Sequence, residues 1–275
     1  MQCNYKFKSS KYKEGITIVR RAIIGGTGVY EIDELATSSR RTEIDTDYGS
    51  VTLDIKEIKE EEYAFLARHG RSHSLPPHQI NYRANMKALK NLGVRQILAT
   101  TAAGSCHEDY PPGALVLIED FIDFTRNRNY TYFDDTVRHL NMENPYCPYL
   151  NKKIQQRYSQ QQEELLGGGV YGAFPGPRFE TAAEVEMANK LGVKVMGMTN
   201  VPESILAREL GMCYANVSIV VNWGTGFKKE EDLDKETMRG IVKEKKSDLL
   251  FNYVEILSSA DYEAKTCTCH DDFIV

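Results

Sequence analysis

Phe179, Glu180 and Asn222 carry side chains that could together recognise one kind of purine ring. An aromatic face can stack on a base, and a carboxylate accepts a hydrogen bond from a ring N–H group. A side-chain amide can donate to a carbonyl and accept from a second N–H group at the same time. This combination fits a 6-oxopurine of the hypoxanthine or guanine type, and it fits adenine badly.

A second set of polar residues lies at the ends of four predicted strands and could hold an oxyanion. These residues are Thr27, Arg68 with His69, Thr101, and Thr199. Glycines on both sides of Thr27 allow the backbone to approach an anion closely. Arginine, hydroxyl and amide donors together suit an oxyanion, although each loop alone is also compatible with a tight turn. The glycine-rich turn at residues 25–28 has neither the spacing of a dinucleotide fingerprint nor the Gly-Lys-Ser/Thr of a P-loop.

The elements that must position these residues alternate between strands and helices. Strands are predicted at 21–24, 51–56, 63–67, 96–104, 115–118, 170–174, 194–198 and 213–221, and helices at 81–91, 151–166, 181–191, 201–210 and 235–258. This alternation predicts an α/β fold, a sheet with helices on its faces. We expect a partly disordered extension over 1–20, one domain over 21–260 and a tail over 261–275.

Composition and charge exclude several classes of protein. The 275 residues are 41% hydrophobic and 27% charged, with a net charge of −5 and a pI near 5.8. Nucleic-acid binding would normally require a basic surface, and no apolar run approaches the length that spans a bilayer. The polar start of the chain lacks the apolar core of a signal peptide. We therefore expect a cytoplasmic protein without nucleic-acid or membrane partners.

Six cysteines are scattered along the chain, and we expect reduced thiols, several of them buried. No pair of Cys-x-x-Cys units and no Cys/His cluster has the spacing of a zinc site, so no metal is expected. Cys267 and Cys269, followed by His270, could form a redox pair or a weak metal site. The preferred interpretation of this segment is a flexible, polar tail.

Five segments contain many of these residues: Ile24-Gly25-Gly26-Thr27-Gly28, Phe65-Leu66-Ala67-Arg68-His69-Gly70, Asn81-Tyr82-Arg83-Ala84-Asn85, Thr100-Thr101-Ala102-Ala103-Gly104-Ser105 and Met198-Thr199-Asn200-Val201-Pro202-Glu203. In matching order, they resemble the trimeric purine nucleoside phosphorylase and 5′-methylthioadenosine phosphorylase family over about residues 21–227. The resemblance implies a single α/β domain with a twisted mixed sheet, and a homotrimer. It also implies a role in purine salvage, the transfer of a nucleoside's sugar to inorganic phosphate without a metal or organic cofactor.

The resemblance also implies roles for individual residues. The implied phosphate site consists of Thr27, Arg68, His69, Thr101, Thr199 and the backbone of Ala102. Met198 matches the residue whose backbone meets the ribose hydroxyls, and Phe179 matches the ring that packs on the purine. His73 is implied near phosphate, and His139 near the 5′ end of a neighbouring subunit's sugar. The active site would then be complete only in the trimer.

Members of the family differ in the residues that contact the base, and these differences go with the purine that each member prefers. Members that prefer 6-aminopurines resemble one another in a serine after the stacking phenylalanine, an aspartate at position 222 and a second aspartate two residues on. This chain has Glu180, Asn222 and Gly224 at these positions. Glu180 can accept from N1–H, which adenine lacks, and Asn222 can donate to O6 and accept from N7–H as the base leaves. Asn222, Glu180 and His69 are thus the predicted catalytic residues, with His69 donating to phosphate rather than acting as a general base.

The nucleoside's 5′ substituent depends on the terminal helix, where Thr237 or Met238 could line the pocket and no histidine is present. This tilts the prediction toward a 5′-methylthio-nucleoside such as methylthioinosine. We predict phosphorolysis of 6-oxopurine nucleosides: inosine, guanosine or 5′-methylthioinosine. The alternatives are a 5′-methylthioadenosine phosphorylase and, from another class, an inactive purine-binding trimer.

Overall fold

Strands and helices alternate along most of the chain in a computed structural model that describes residues 18–26, 36–72, 74–228, 234–263, 267–270 and 273. The strands are β1 (Arg21–Gly25), β2 (Ser38–Ile44), β3 (Val51–Ile58), β4 (Glu61–Ala67), β5 (Gln96–Ser105), β6 (Leu115–Asp123), β7 (Leu166–Ala173), β8 (Val195–Gly197) and β9 (Cys213–Trp223). The helices are α1 (Tyr82–Leu92), α2 (Pro148–Gln161), α3 (Ala182–Lys190), α4 (Asn200–Glu209) and α5 (Lys235–Ser259), with a 3₁₀ turn at Pro77–Gln79.

The strands form one mixed sheet in the order β2-β3-β4-β1-β5-β8-β7-β6-β9. Strand β9 also pairs in parallel with β5, so β5, β8, β7, β6 and β9 close into a ring. The central pairs β4–β1–β5 are parallel, whereas β2–β3, β3–β4, β5–β8 and β6–β9 are antiparallel. The predicted α/β domain with a mixed central sheet is therefore confirmed.

Side chains of the central strands alternate between two apolar cores. In β1, Ala22 and Ile24 pack into a core shared with α1 and α4, while Ile23 faces a second core shared with α2 and α5. This is the period-two pattern of a strand that is buried on both faces. Helices thus cover both sides of the sheet, so a binding site is expected in the loops at the strand ends.

Two local predictions fail for identifiable reasons. Strand β2 was not predicted, because its sequence Ser-Ser-Arg-Arg-Thr-Glu-Ile is mostly exposed and lacks apolar alternation. Helix α2 was predicted to continue to residue 166, but it ends at Gln161. Gln162 takes a left-handed conformation with φ of 56°, and its backbone N–H caps the last turn. The leucine at 166 then belongs to β7.

The described part of the C-terminal tail is packed against the domain, so the prediction of a flexible, polar tail is wrong for these residues. Cys269 is only 2% exposed and belongs to the α2–α5 core. Phe273 forms a β-bridge with Leu140. Of the predicted extension at residues 1–20, the described part contains a buried Val19. None of the described helices has the length and apolar character needed to cross a bilayer.

Candidate active site

A cavity of about 530 Å³ opens where β4, β5, β8 and β9 end. It is lined by nine of the predicted site residues: Arg68, His69, Thr101, Ala102, Met198, Thr199, Phe179, Glu180 and Asn222. Residues that are far apart in the sequence meet here because their strands are neighbours in one sheet. The lining combines cationic and hydroxyl groups with Phe179 and the two groups predicted to contact a base.

Arg68 is held in the cavity wall by a buried ion pair. Its Nε donates to both carboxylate oxygens of Glu203 at 2.9 Å, and its Nη2 donates to Oε2 at 2.6 Å. Nη1 donates to the carbonyl of Thr100 at 2.9 Å, and both charged side chains are only 1% exposed. Burial alone lowers the pKa of Arg68, but the Glu203 carboxylate outweighs burial and shifts the pKa upward. Arg68 therefore stays charged, in a fixed orientation.

His69 and Thr101 are also oriented by hydrogen bonds. His69 Nδ1 lies 2.8 Å from the carbonyl oxygen of Leu75, which can only accept, so Nδ1 carries a proton. Nε2 is then an acceptor in the neutral ring and a donor in the charged ring. The Thr101 hydroxyl lies 2.7 Å from that of Ser218 and 3.3 Å from Asn216 Oδ1 in a buried cluster. To donate to an anion, the Thr101 hydroxyl would therefore have to turn out of that cluster. Within the cluster it can only accept, from a protonated oxygen of the anion.

The loop that carries Met198 and Thr199 is fixed by Arg128. This guanidinium donates to the carbonyl of Met198 at 2.8 Å and to that of Pro175 at 3.0 Å. It also donates to the carbonyl of Val201. Thr199 then precedes the first turn of α4, and its backbone N–H lies 3.4 Å from the Tyr171 hydroxyl oxygen. Hydrogen bonds thus hold this loop in place on both sides of Thr199.

Phe179 and Glu180 directly precede α3, which begins with a capping box. Thr181 Oγ1 accepts from the N–H of Glu184 at 3.2 Å, and the Glu184 carboxylate accepts from the N–H of Thr181 at 2.7 Å. The same carboxylate binds Arg178 through two contacts of 2.7 and 2.8 Å. The sequence pattern Thr-x-x-Glu is typical of a helix start. This cap fixes the direction from which residues 179 and 180 enter the cavity.

Replacing Thr181 with alanine should lower the free energy of unfolding by about 1 kcal/mol, because the cap hydroxyl is lost. Chemical denaturation measures this change. Thr181→Ser keeps the hydroxyl and serves as the matched control, which should remain close to the wild type. Equal stability of the alanine and serine variants would contradict a role for the capping box.

Glu180 has a buried carboxylate oxygen without a hydrogen-bond partner among the described residues. The residue is 8% exposed, and its Oε1 has no hydrogen-bond partner among the described side chains and backbone. Arg178 does not neutralise it, because that guanidinium is bound to Glu184. Burial raises the pKa of the Glu180 carboxyl. An unpaired buried acceptor costs about 1–3 kcal/mol, so turning this carboxylate toward a donor in the cavity would be favourable. Phe179 beside it is 64% exposed, a large apolar surface at the cavity.

The amide of Asn222 has a defined orientation. Its Nδ2 donates to the carbonyl of Trp223 at 2.6 Å, and since a carbonyl can only accept, the nitrogen must be on that side. Gly104 lies beneath it, where an added Cβ would be 3.4 Å from Oδ1. Asn222 therefore offers the cavity one remaining N–H donor and one acceptor oxygen.

Position 224 has no room for a side chain. A Cβ at Gly224 would lie 2.5 Å from the Met196 methyl, 3.0 Å from Val185 and 3.1 Å from the carbonyl of Ser105. The last contact is with backbone, which does not yield easily. An aspartate at this position would thus require the cavity wall to move.

Sequence and structure comparisons identify the family of this chain. The Phosphorylase superfamily profile matches residues 20–254. The chain belongs to the phosphorylase superfamily. It is 40% identical over 260 residues to the 6-oxopurine nucleoside phosphorylase of Pyrococcus furiosus, covering 92% of this chain and 97% of that protein. It is 41% identical over 251 residues to a probable S-methyl-5′-thioinosine phosphorylase of Methanothermobacter thermautotrophicus, covering 90% and 86%.

A solved structure extends the similarity to the whole phosphorylase fold. The crystal structure of a methylthioadenosine phosphorylase from an antarctic soil metagenomic library superposes with a TM-score of 0.86 and 30% sequence identity. The superposition covers 94% of this chain and 92% of that one.

Three predicted site residues are not among those that line this cavity. Thr27 and His73 lie outside the described residues. His139 is exposed in the segment between β6 and α2 and is not part of the cavity wall of its own chain. Of the two candidates for the 5′ end, Met238 lines the cavity, whereas Thr237 is exposed in the first turn of α5.

Two residues that hold cavity-lining groups in place had no predicted role. Glu203 orients Arg68, and Arg128 fixes the loop of Met198. Glu203 lies at the end of the segment 198–203, one of the five that resemble the family. A carboxylate among the apolar residues of a predicted helix indicates a buried partner. Arg128 lies in an irregular loop, where no sequence pattern indicates its three carbonyl contacts.

Proposed function

We propose that the protein catalyses phosphorolysis of purine nucleosides and prefers 6-oxopurines. The products are a free base and ribose 1-phosphate or 5-methylthioribose 1-phosphate. The observation that carries the proposal is the buried, unpartnered oxygen of Glu180, in one cavity with the oriented amide of Asn222. An acceptor beside a donor–acceptor pair complements N1–H, O6 and N7 of hypoxanthine. The same acceptor faces a lone pair at N1 of adenine.

The proposed phosphate subsite consists of Arg68, His69, Thr101, Thr199 and the backbone of Ala102, with Thr27 as a further predicted ligand. Arg68 uses one hydrogen each of Nε, Nη1 and Nη2 on Glu203 and Thr100, which leaves two guanidinium hydrogens for phosphate oxygens. His69 completes the set either as a charged donor or as an acceptor from a protonated phosphate oxygen. Inorganic phosphate is thus a co-substrate, and we propose that neither a metal nor an organic cofactor takes part.

The mechanism rests on positioning and electrostatics. Phosphate is held near C1′ while the glycosidic bond lengthens and the sugar gains oxocarbenium character. Negative charge develops on the departing purine, and Asn222 stabilises it with an N–H donated to O6. N7 then takes up a proton from solvent, which neutralises the free base, and the Asn222 oxygen accepts from that N7–H. The Glu180 carboxylate accepts a hydrogen bond from N1–H and so holds the base in position. Phosphate then captures C1′ with inversion, and no covalent enzyme intermediate forms.

The 5′ end of the cavity favours an apolar substituent. Met238 from α5 lines it, and this side chain also packs against the α2–α5 core. Leu75 and Val221 add further apolar surface to the cavity. A methylthio group would gain from burial against these residues, at about 0.8 kcal/mol per buried methylene-sized group. We therefore include 5′-methylthioinosine among the substrates.

We also propose a cytoplasmic homotrimer in which His139 reaches the active site of a neighbouring subunit. Its exposed position, away from its own cavity, is compatible with such a contact. The molar mass of the assembly in solution tests the trimer: a monomeric active enzyme would contradict it.

The proposed activity is tested with inosine, guanosine, adenosine, methylthioinosine and methylthioadenosine, each with and without phosphate. We expect base release that depends on phosphate and yields a sugar 1-phosphate, fastest with the 6-oxopurine nucleosides. Release without phosphate would indicate hydrolysis. Binding of hypoxanthine without turnover of any nucleoside would indicate the inactive purine-binding alternative. Faster turnover of methylthioadenosine than of the 6-oxopurine nucleosides would indicate a 5′-methylthioadenosine phosphorylase.

Asn222→Asp should shift the preference toward 6-aminopurines. The substitution removes the N–H that is available to O6 and adds a charge that repels that oxygen, while it can accept from the 6-amino group of adenine. We expect kcat/KM for inosine relative to adenosine to fall roughly tenfold or more, the effect of about 1.4 kcal/mol. An unchanged ratio would show that Asn222 does not contact the base edge.

A further inference from the structure

Four cysteines from three distant parts of the chain meet at the end of β9 opposite the active site. They are Cys147, Cys213, Cys267 and Cys269, and their sulfur atoms all lie within 4.8 Å of one another. Cys213 begins β9, whereas Asn222 is near its other end, nine residues or roughly 30 Å away at about 3.4 Å per residue. The cluster is therefore separate from the nucleoside cavity.

The spacing of these sulfurs fits a shared metal ion better than disulfides. Four sulfurs bound tetrahedrally to zinc at about 2.3 Å lie about 3.8 Å from one another. Cys213 Sγ and Cys267 Sγ are 3.5 Å apart, whereas a disulfide requires about 2.05 Å. The described cysteines are all free thiols. Three of the four are buried and Cys267 is half-buried, so the sulfurs point inward around one centre.

The surroundings of the cluster are suited to thiolates. Cys147 is the N-cap of α2, so its sulfur lies near the positive end of that helix, although it makes no capping hydrogen bond. Arg208 Nη1 lies 3.7 Å from Cys269 Sγ, and its guanidinium is fixed by the carbonyls of Asn141 and Asn144 at 3.0 and 2.6 Å. His270 Nε2 lies 3.9 Å from Cys213 Sγ, with Nδ1 held at 2.9 Å by the carbonyl of Gly211. Outer contacts of this kind orient and stabilise metal ligands.

We propose that Cys147, Cys213, Cys267 and Cys269 form a structural zinc site. Each thiol releases its proton to solvent when the ion binds, and the four thiolates leave a net charge of −2 that Arg208 partly offsets. Four protein ligands leave no open position for a substrate, so the role is structural. The ion ties the C-terminal segment to α2 and β9. The proposal does not depend on the nucleoside reaction, and it revises the expectation that no metal binds.

The test uses the full chain without a histidine tag, purified anaerobically with a phosphine reductant from cells grown with added zinc. Elemental analysis should find about one zinc per chain, and Cys267→Ser/Cys269→Ser should lower that content at least tenfold. Cys106→Ser is the matched control. That thiol is also buried, but it donates to the carbonyl of Val193 and lies outside the cluster, so zinc should be retained.

A second measurement tests the proposal on the wild-type protein, so that it does not depend on whether the double variant folds. Wild-type protein reconstituted with Co²⁺ should show the intense visible and sulfur-to-metal absorption of tetrahedral thiolate coordination. A protein that binds no zinc and gives no such spectrum with Co²⁺ would overturn the proposal. So would zinc that the double variant retains, or Cys147–Cys213 and Cys267–Cys269 disulfides found by peptide mapping of the anaerobic protein.

Discussion

Glu203→Gln lowers the free energy of unfolding by about 3–5 kcal/mol, because it leaves the buried charge of Arg68 without its partner. The pair is 1% exposed on both sides, and Glu203 accepts three contacts from the guanidinium. The KM for phosphate should rise roughly tenfold or more, since Arg68 loses its fixed orientation toward the cavity. Denaturation and phosphate saturation curves measure the two effects.

Two comparisons separate the stability effect from the catalytic effect. Glu186→Gln makes the same chemical change at an exposed ion pair with Lys190 and should leave unfolding unchanged. Arg68→Met/Glu203→Met replaces the buried pair by apolar side chains and should recover much of the lost stability. It should not recover phosphorolysis. Full activity in that double variant would show that Arg68 is only structural.

Glu180→Gln lowers the ratio of kcat/KM for inosine to that for adenosine by about 100-fold. Glutamine accepts from N1–H without a charge, which costs inosine about 1.4 kcal/mol, and it can also donate to N1 of adenine, a gain of similar size. Steady-state kinetics with both nucleosides gives the ratio. Phe179→Leu is the control: it weakens packing on any purine, so both values should fall together.

The same preference should depend on pH. Burial raises the pKa of Glu180, and the carboxyl is protonated below that pKa. A protonated carboxyl presents a donor, so the inosine-to-adenosine ratio should fall as the pH is lowered through the pKa of Glu180. In Glu180→Gln the ratio should not change over the same range. A wild-type ratio that stays constant down to the acid limit of stability would contradict base recognition by the ionised carboxylate.

Most of the sheet could be predicted from sequence, because central strands such as β1 and β9 are apolar runs bounded by glycine or polar residues. The exposed strand β2 carries no such signal, and the closure of β5 through β9 into a ring depends on pairing between distant strands. The position of the cavity could also be predicted from the strands. Side chains at strand ends were expected to converge, and nine of the predicted residues line one cavity. Three of them, Thr101 and Ala102 in β5 and Asn222 in β9, lie within their strands rather than after them.

The cysteine cluster shows why the spacing of residues along the sequence is not enough to predict a metal site. Cys267 and Cys269 are the only two of its members that are close in sequence, while Cys147 and Cys213 come from a helix start and a strand start. Folding, rather than spacing, brings the four sulfurs together. The partnership of Arg68 with Glu203 is hidden in the same way, since 135 residues separate them.

Competition between inosine and adenosine in one vessel tests the proposed function most directly. Both nucleosides are supplied at equal concentration with inorganic phosphate, and hypoxanthine and adenine are quantified as they are released. We expect hypoxanthine to form faster by about 100-fold or more, and neither base to form without phosphate. Adenine formed as fast as hypoxanthine would contradict recognition of the 6-oxopurine edge by Glu180 and Asn222.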